Sequence, residues 1–396
     1  MACQCRHIGL AEAGQTRLTC ACWATTGFGG HHRLQPWPHT RETAIKRPLK
    51  IYFHPAKQGN LWRIGYTDSQ FLVQTMREDS PDHGGGVDAA AAAYGGARDL
   101  WIDLSTGINP VPYPLPVFEA RDWAVLPDSR AQAALVGAAR QFWQIPDGAA
   151  VLAAPGASSL IARIPALIPP GKVSVQAPTY NEHGRAFAAA GWNIGAGLAV
   201  QAQVLVHPNN PDGRVWATSD VTADLCIIDE SFCDVMPAQS LIAQAARPGV
   251  IVLKSFGKFW GLAGVRLGFA IGDPVMIARL AQMLGPWPVS GPASAVGTLA
   301  LQDVGWADAA RTRLAHDAAR LDALISQLGP KVVGGTGLFR LFDTDDAAGW
   351  QDHLARHQIW SRIFPYSKRW LRLGLPGAPE DWARLEQALK QVEMRR

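Results

Sequence analysis

Six short apolar runs, most of them breaking into polar residues, set the tightest limit on what this chain can fold into. They are AAVLAAPG (149–156), KVSVQAPTY (172–180), QVLVHPNNP (203–211), LCIIDESF (225–232), VIVLKSFGK (250–258) and RLGFAIG (266–272). Short β-rich runs of this kind, most of them without regular polar alternation, are those of strands covered on both faces. Between them lie stretches of helical spacing such as SSLIARIPALI (158–168), which opens on a serine able to cap a helix. Strands alternating with helices predict an α/β fold with a large domain around a mostly parallel sheet. Such sheets bind ligands beyond the C-terminal ends of their strands, where the polar residues gather here.

The pattern changes after about residue 285. Helices around 291–328 lead to GLFRLFDT (337–344), a helix near 346–358, WLRLGLP (370–376) and a last helix near 380–393. The expected organisation is therefore an arm with a small-domain part over 76–125, a large domain over 126–285 and a smaller α+β domain over 286–396. DAAAAAYGGA (88–97) reads as an alanine-rich helix with a glycine stop. Residues 1–75 lack sustained periodicity and hold nine Lys/Arg against three Asp/Glu, while the remainder holds 28 basic and 30 acidic residues. This first segment is expected to be a mostly disordered extension outside the working body. Its Cys3, Cys5, Cys20 and Cys22 form Cys-x-Cys pairs, tighter than the usual zinc spacing, so no metal site is expected.

A body that is slightly acidic argues against nucleic acid as a partner. No apolar run reaches the roughly 18 residues of a membrane span. Only Cys226 and Cys233 lie beyond the first segment, which suits a reducing compartment, and the expected location is cytoplasmic. No Gly-x-Gly-x-x-Gly follows a first strand, which excludes a dinucleotide-binding dehydrogenase.

Several strand-end residues meet one chemical need. In APGASS (154–159) the backbone N–H groups of Ala157 and Ser158 stand at a helix start suited to phosphate. Asp229 ends an apolar strand and needs a partner if buried. Asn210 sits in a turn after another strand. KSFGK places two lysines, Lys254 and Lys258, four apart. Either one of them does chemistry or both are solvated strand ends. Ser255 and Arg266 flank the second with a hydroxyl and a guanidinium suited to phosphate. A lysine that joins the aldehyde of pyridoxal phosphate needs such a phosphate cradle, a carboxylate for the ring nitrogen and a donor to the ring oxygen.

The ordered set resembles the fold-type I pyridoxal-phosphate enzymes of the class I/II aminotransferase group. Their Ser-x-x-Lys followed by Gly-x-Arg-x-Gly reads here SFGKFWGLAGVRLGF (255–269). The resemblance covers roughly 76–396 and implies that Lys258 is the reacting lysine and Lys254 a structural strand residue. It implies that Tyr180 stacks on the cofactor ring. Within the group, DHGGGVDAAAAAYGG and WIDLSTGINPVPYP resemble the cobalamin-pathway threonine-phosphate decarboxylases. That likeness implies decarboxylation of L-threonine O-3-phosphate to (R)-1-amino-2-propanol O-2-phosphate. It implies substrate contacts from His83, Gly84, Asn210, Arg362 and Arg372, and a homodimer. Three positions depart from the pattern: Gly107 stands where the family has a substrate-binding asparagine, Phe232 replaces a tyrosine, and Leu126 replaces another. A histidinol-phosphate-type aminotransferase is the alternative, and a non-catalytic relative with a decayed site is the second.

Overall fold

The computed structural model describes residues 51–55, 62–66, 83–195 and 199–393. Two compact units divide near Ser80. In the first, β1 (Ile51–Pro55) and β2 (Trp62–Tyr66) pair antiparallel, Ile51 opposite Tyr66. The four N-terminal cysteines lie outside the described residues.

The second unit holds the six predicted strands, each close to its expected place. After the short β3 (Ile102–Asp103) come β4 (Ala150–Ala154), β5 (Lys172–Val175), β6 (Asn193–Gly195), β7 (Ala202–Val206), β8 (Leu225–Asp229), β9 (Val250–Ser255) and β10 (Gly268–Gly272). They form a seven-stranded sheet in the order β4-β10-β9-β8-β7-β5-β6. Only β10 runs against its neighbours β4 and β9; the other pairings are parallel. Every residue of β8 and β10 is buried, as a sheet covered on both faces requires.

Side chains alternate between two apolar layers. Cys226, Ile228, Val250 and Val252 pack with Leu135, Val296 and Leu314. Leu225, Ile227, Ile251 and Leu253 pack on the other face with Leu160, Phe187 and Ile277. This alternation decides which face each strand-end residue reaches. The helix expected over 158–168 is shorter: it covers Ala157–Ile161 and yields to a 3₁₀ turn at Ile164–Ala166. Pro165 cannot donate to the helical ladder and disfavours helical geometry at the residue before it.

The chain then builds β11 (Lys331–Thr336), β12 (Phe339–Asp343), β13 (Ile359–Trp360), β14 (Arg362–Phe364) and β15 (Ser367–Gly374). Four of these form an antiparallel sheet, β11-β12-β15-β14. Helices cover 304–326, 347–356 and 379–393, near the positions read from the sequence. β13 pairs in parallel with β3, so the segment after His83 joins the C-terminal region rather than the large sheet. The alanine-rich helix spans Val87–Tyr94 and stops at Gly95.

Candidate active site

Strands β7, β8 and β9 deliver their last residues, and the loop after β4 its helix start, to one cavity of about 170 Å³. Its walls include Ala157, Ser158, Tyr180, Asn210, Asp229, Ser255, Lys258 and Arg266. These are the eight cofactor-site residues expected from the sequence. A second cavity of about 180 Å³ shares Tyr180, Asn210, Phe232 and Lys258 with the first, and adds His83, Gly84, Gly107, Arg362 and Arg372. Lys258 therefore stands between a compartment lined by Ser158, Ser255 and Arg266 and one lined by Arg362 and Arg372.

The chemistry of Lys258 follows from its surroundings. Burial pushes its amine down to about 8, Arg372 and Arg266 push the same way, and Asp229 opposes them. Its Nζ lies 5.1 Å from the centre of the Phe232 ring, which offers no hydroxyl. A lysine held this way is partly neutral near neutral pH and able to attack a carbonyl.

Asp229 is buried at the end of β8. Burial alone would raise its carboxyl, but His183 and Ser231 outweigh burial and hold it below the usual range. His183 Nε2 lies 2.8 Å from one carboxylate oxygen. The other accepts the Ser231 N–H at 3.0 Å and its hydroxyl at 2.5 Å. Neither partner was singled out in the sequence. His183 comes three residues after Tyr180 and faces Asp229 because Asn181–Ala189 begins a helix directly after the strand-end turn. Tyr180 has its hydroxyl pushed up to about 12, chiefly by burial with help from Asp229 and Glu182, so it stays protonated.

Arg266 donates to Ser158 Oγ at 3.0 Å and to the Ala263 carbonyl at 3.1 Å. It adopts a left-handed conformation, φ 55°, uncommon for a non-glycine residue. The helix behind Ala157 has only five residues, so a phosphate placed there would meet its N–H groups, Ser158, Ser255 and Arg266 rather than a long helix dipole.

On the other side, Arg372 is buried within β15. It donates to the Asn210 side-chain oxygen, and at 2.6 Å to the Ser105 carbonyl. Arg362 donates to the His83 carbonyl at 3.0 Å. His83 pairs with Glu182 at 3.2 Å and lies beside Tyr180, ring centres 5.9 Å apart. Gly84 has no room for a side chain, since a Cβ would stand 2.4 Å from the Ser105 carbonyl oxygen. At Gly107 a Cβ would stand 2.8 Å from both the Phe232 and Phe339 rings. The two departures at 107 and 232 are thus one feature: aromatic carbon fills the space beside the glycine. Asn109 was also overlooked. Its N–H donates to the Lys258 carbonyl at 3.0 Å and its amide to the Phe259 carbonyl at 2.8 Å.

Lys254 is neither a reacting group nor a solvated strand end. It is 2% exposed, with Nζ 2.7 Å from Glu230 and 3.3 Å from Asp234. Those carboxylates hold its ammonium well above the ordinary lysine range despite burial.

The donor set fits pyridoxal phosphate: an amine with a lowered pKa, a buried carboxylate, a ring able to stack, and a hydroxyl–guanidinium–amide cradle. A family model, aminotransferase class I and II, matches residues 197–391. A threonine-phosphate decarboxylase from Sinorhizobium sp is 39% identical over 331 residues, 79% of this chain and 98% of that protein. The chain belongs to the threonine-phosphate decarboxylase family. A relative of the same name from Pseudomonas aeruginosa is 38% identical, over 78% of this chain and 97% of its own length. The fold is similar to that of histidinol-phosphate aminotransferase from Sinorhizobium meliloti in complex with pyridoxal-5'-phosphate. The TM-score is 0.68 at 18% identity, over 83% of this chain and 99% of that one.

Proposed function

We propose that this chain is a pyridoxal-phosphate-dependent decarboxylase that converts L-threonine O-3-phosphate to (R)-1-amino-2-propanol O-2-phosphate and carbon dioxide. The observation that carries the reading is Lys258 at the junction of two cavities, one lined by Asp229, Ser158, Ser255 and Arg266, the other by His83, Arg362 and Arg372. Full-length relatives bearing the decarboxylase name support it.

Lys258, Asp229, Tyr180, Asn210 and the Ala157–Ser158–Ser255–Arg266 cradle would hold pyridoxal phosphate, which would supply an electron sink for the pair left when carbon dioxide departs. The protein's own residues do the rest. Asp229, kept ionised by His183 and Ser231, holds a negative charge at the end of β8 that would keep the ring nitrogen protonated. Arg372 and Arg362 bind the two anionic groups of the substrate, and His83 closes the same side, so that one carboxylate bond is presented for cleavage. Lys258 can carry a proton at Nζ and return it to the substrate α-carbon, which replaces the lost carboxylate.

The product is the linker precursor expected in cobalamin synthesis. A homodimer is part of the proposal: Leu115, Val117, Trp123, Val125, Leu126 and Trp287 are apolar and exposed, a run of surface that a second copy would cover. A cytoplasmic setting is consistent with Cys226 and Cys233, both buried and unpaired.

The test is a product assay. The loaded protein given L-threonine O-3-phosphate is expected to release carbon dioxide and aminopropanol phosphate in equal amounts. A keto product formed only with an acceptor keto acid would move the chain to the aminotransferases. Cofactor binding with no turnover of either kind would favour a decayed relative.

A further inference from the structure

The buried charges behind the active site have no part in the chemistry above. Strand alternation sends Asp229 to one face of the sheet and Glu230 to the other; likewise Lys254 faces away from Ser255. Glu230 follows the ring-nitrogen carboxylate directly, and Lys254 precedes the reacting lysine by four residues. Lys254 Nζ joins them at 2.7 Å from Glu230 and reaches Asp234 at 3.3 Å.

The same cluster grips both loops again further along. Trp260, two residues after Lys258, donates its indole N–H to Asp234 at 3.2 Å, and Trp143 does so at 2.9 Å. Glu230 accepts from the Ser240 hydroxyl at 2.7 Å and the Leu241 N–H at 2.5 Å. Arg311 donates to the Asp234 carbonyl at 2.8 Å. The lysine turn, 254–260, is thereby tied on both sides of Lys258 to the segment 229–234. That segment also supplies Ser231 to Asp229 and the Phe232 ring beneath Lys258.

A metal is not the purpose of the cluster. His207, Glu230 and Cys233 have ligand atoms within 4.8 Å of one another. However, His207 accepts from the Trp216 N–H and contacts the Gln239 carbonyl. Both Glu230 oxygens are taken, and burial pushes the Cys233 thiol up, so it stays protonated.

We propose that the Lys254–Glu230–Asp234–Trp260 cluster is a positioning device that fixes the Lys258 amine relative to the Asp229 carboxylate and keeps water from it. The β8–β9 ladder fixes the strand backbones, with Asp229 opposite Leu253, but Lys258 lies three residues beyond the end of β9; saturated buried charges with directional partners set one arrangement of that turn. The proposal rests on Lys258 being the reacting amine, and no substrate or turnover enters its test.

The experiment is brief labelling of cofactor-free protein with acetic anhydride across a pH series, with the Lys258 peptide quantified by mass spectrometry. The charged groups that bear on Lys258 are Arg372, Arg266 and Asp229, and all remain in the variants. The wild-type midpoint is expected near 8. Lys254→Met is expected to raise it by about one pH unit, because burial is the main cause of the depression and the loosened turn admits water. Lys254→Arg should restore it. Trp260→Phe is the deciding variant: it removes one N–H from Asp234 without changing any charge, and should raise the midpoint in the same direction.

A midpoint moved by Lys254→Met but not by Trp260→Phe would overturn the proposal, since charge alone would then explain the shift. Unmoved midpoints with a lowered melting temperature would also overturn it and leave the cluster a stability element. If Lys254→Met does not fold, Trp260→Phe decides alone. A wild-type Lys258 that titrates at the ordinary lysine value would instead sink the site reading itself.

Discussion

Two lysines four residues apart end in opposite worlds. Lys254 is enclosed by carboxylates, its ammonium matched by Glu230 and Asp234 and its pKa driven up. Lys258 faces a cavity, with two guanidinium groups nearby and one carboxylate, and its pKa is driven down to about 8. Lys254 is buried and Lys258 half-buried, and desolvation pushes both amines down, so burial alone does not separate structural from chemical lysine. The balance of neighbouring charge does. Where opposite charges saturate a buried group it is locked; where they fall short the group is left reactive.

The largest contrast should appear on substitution. Lys258→Ala is expected to reduce decarboxylation by on the order of 10³-fold or more with little loss of stability, measured as turnover and melting temperature together. Lys254→Ala shifts the main effect to stability, with a smaller loss of turnover through the loosened Lys258 turn. It leaves two buried carboxylates without their cation and should cost roughly 3–5 kcal/mol in denaturant unfolding. If it lost activity but not stability, the division between the two faces would fail.

A smaller effect should come from the arginine side. Arg372→Lys keeps the charge but cannot reach both the Asn210 side chain and the Ser105 carbonyl. A loss of about 10²-fold in kcat/KM is expected. An unimpaired variant would show that charge alone suffices there.

The smallest is a pH dependence of the cofactor-free protein. Lys258 titrates near 8 when folded, against an ordinary value of 10.5. Between these values the unfolded chain binds a proton that the folded chain does not, so this group makes stability rise as pH rises from about 8 to 10.5. Lys258→Met should remove that rise. Denaturant midpoints of both proteins along this range would show it as a difference curve; parallel curves would place the lysine in an ordinary environment.

Much of this is legible in the sequence. Asp229, Asn210 and Lys258 sit just where apolar runs break into polar residues, and an open α/β sheet makes those breaks its ligand edge. Arg372 was recognisable as a charge inside an apolar strand that had to find partners. His183 was not, because a histidine in the first turn of a helix carries no signal until the helix is placed against β8. For Lys254 the resemblance implied a structural strand residue, but not what holds it. Its face follows from alternation, but its partners Glu230 and Asp234 come from another strand end, and only the pairing of β8 with β9 brings them to it. The crowding at Gly107 likewise depends on Phe232 and Phe339, residues far away in sequence.

The most direct measurement is to map where the cofactor's aldehyde attaches. The protein is loaded with pyridoxal phosphate, reduced with borohydride, digested and analysed by mass spectrometry. The account predicts the added mass on the peptide at Lys258 and none at Lys254. Label on Lys254, or protein that carries no label at all, would contradict it.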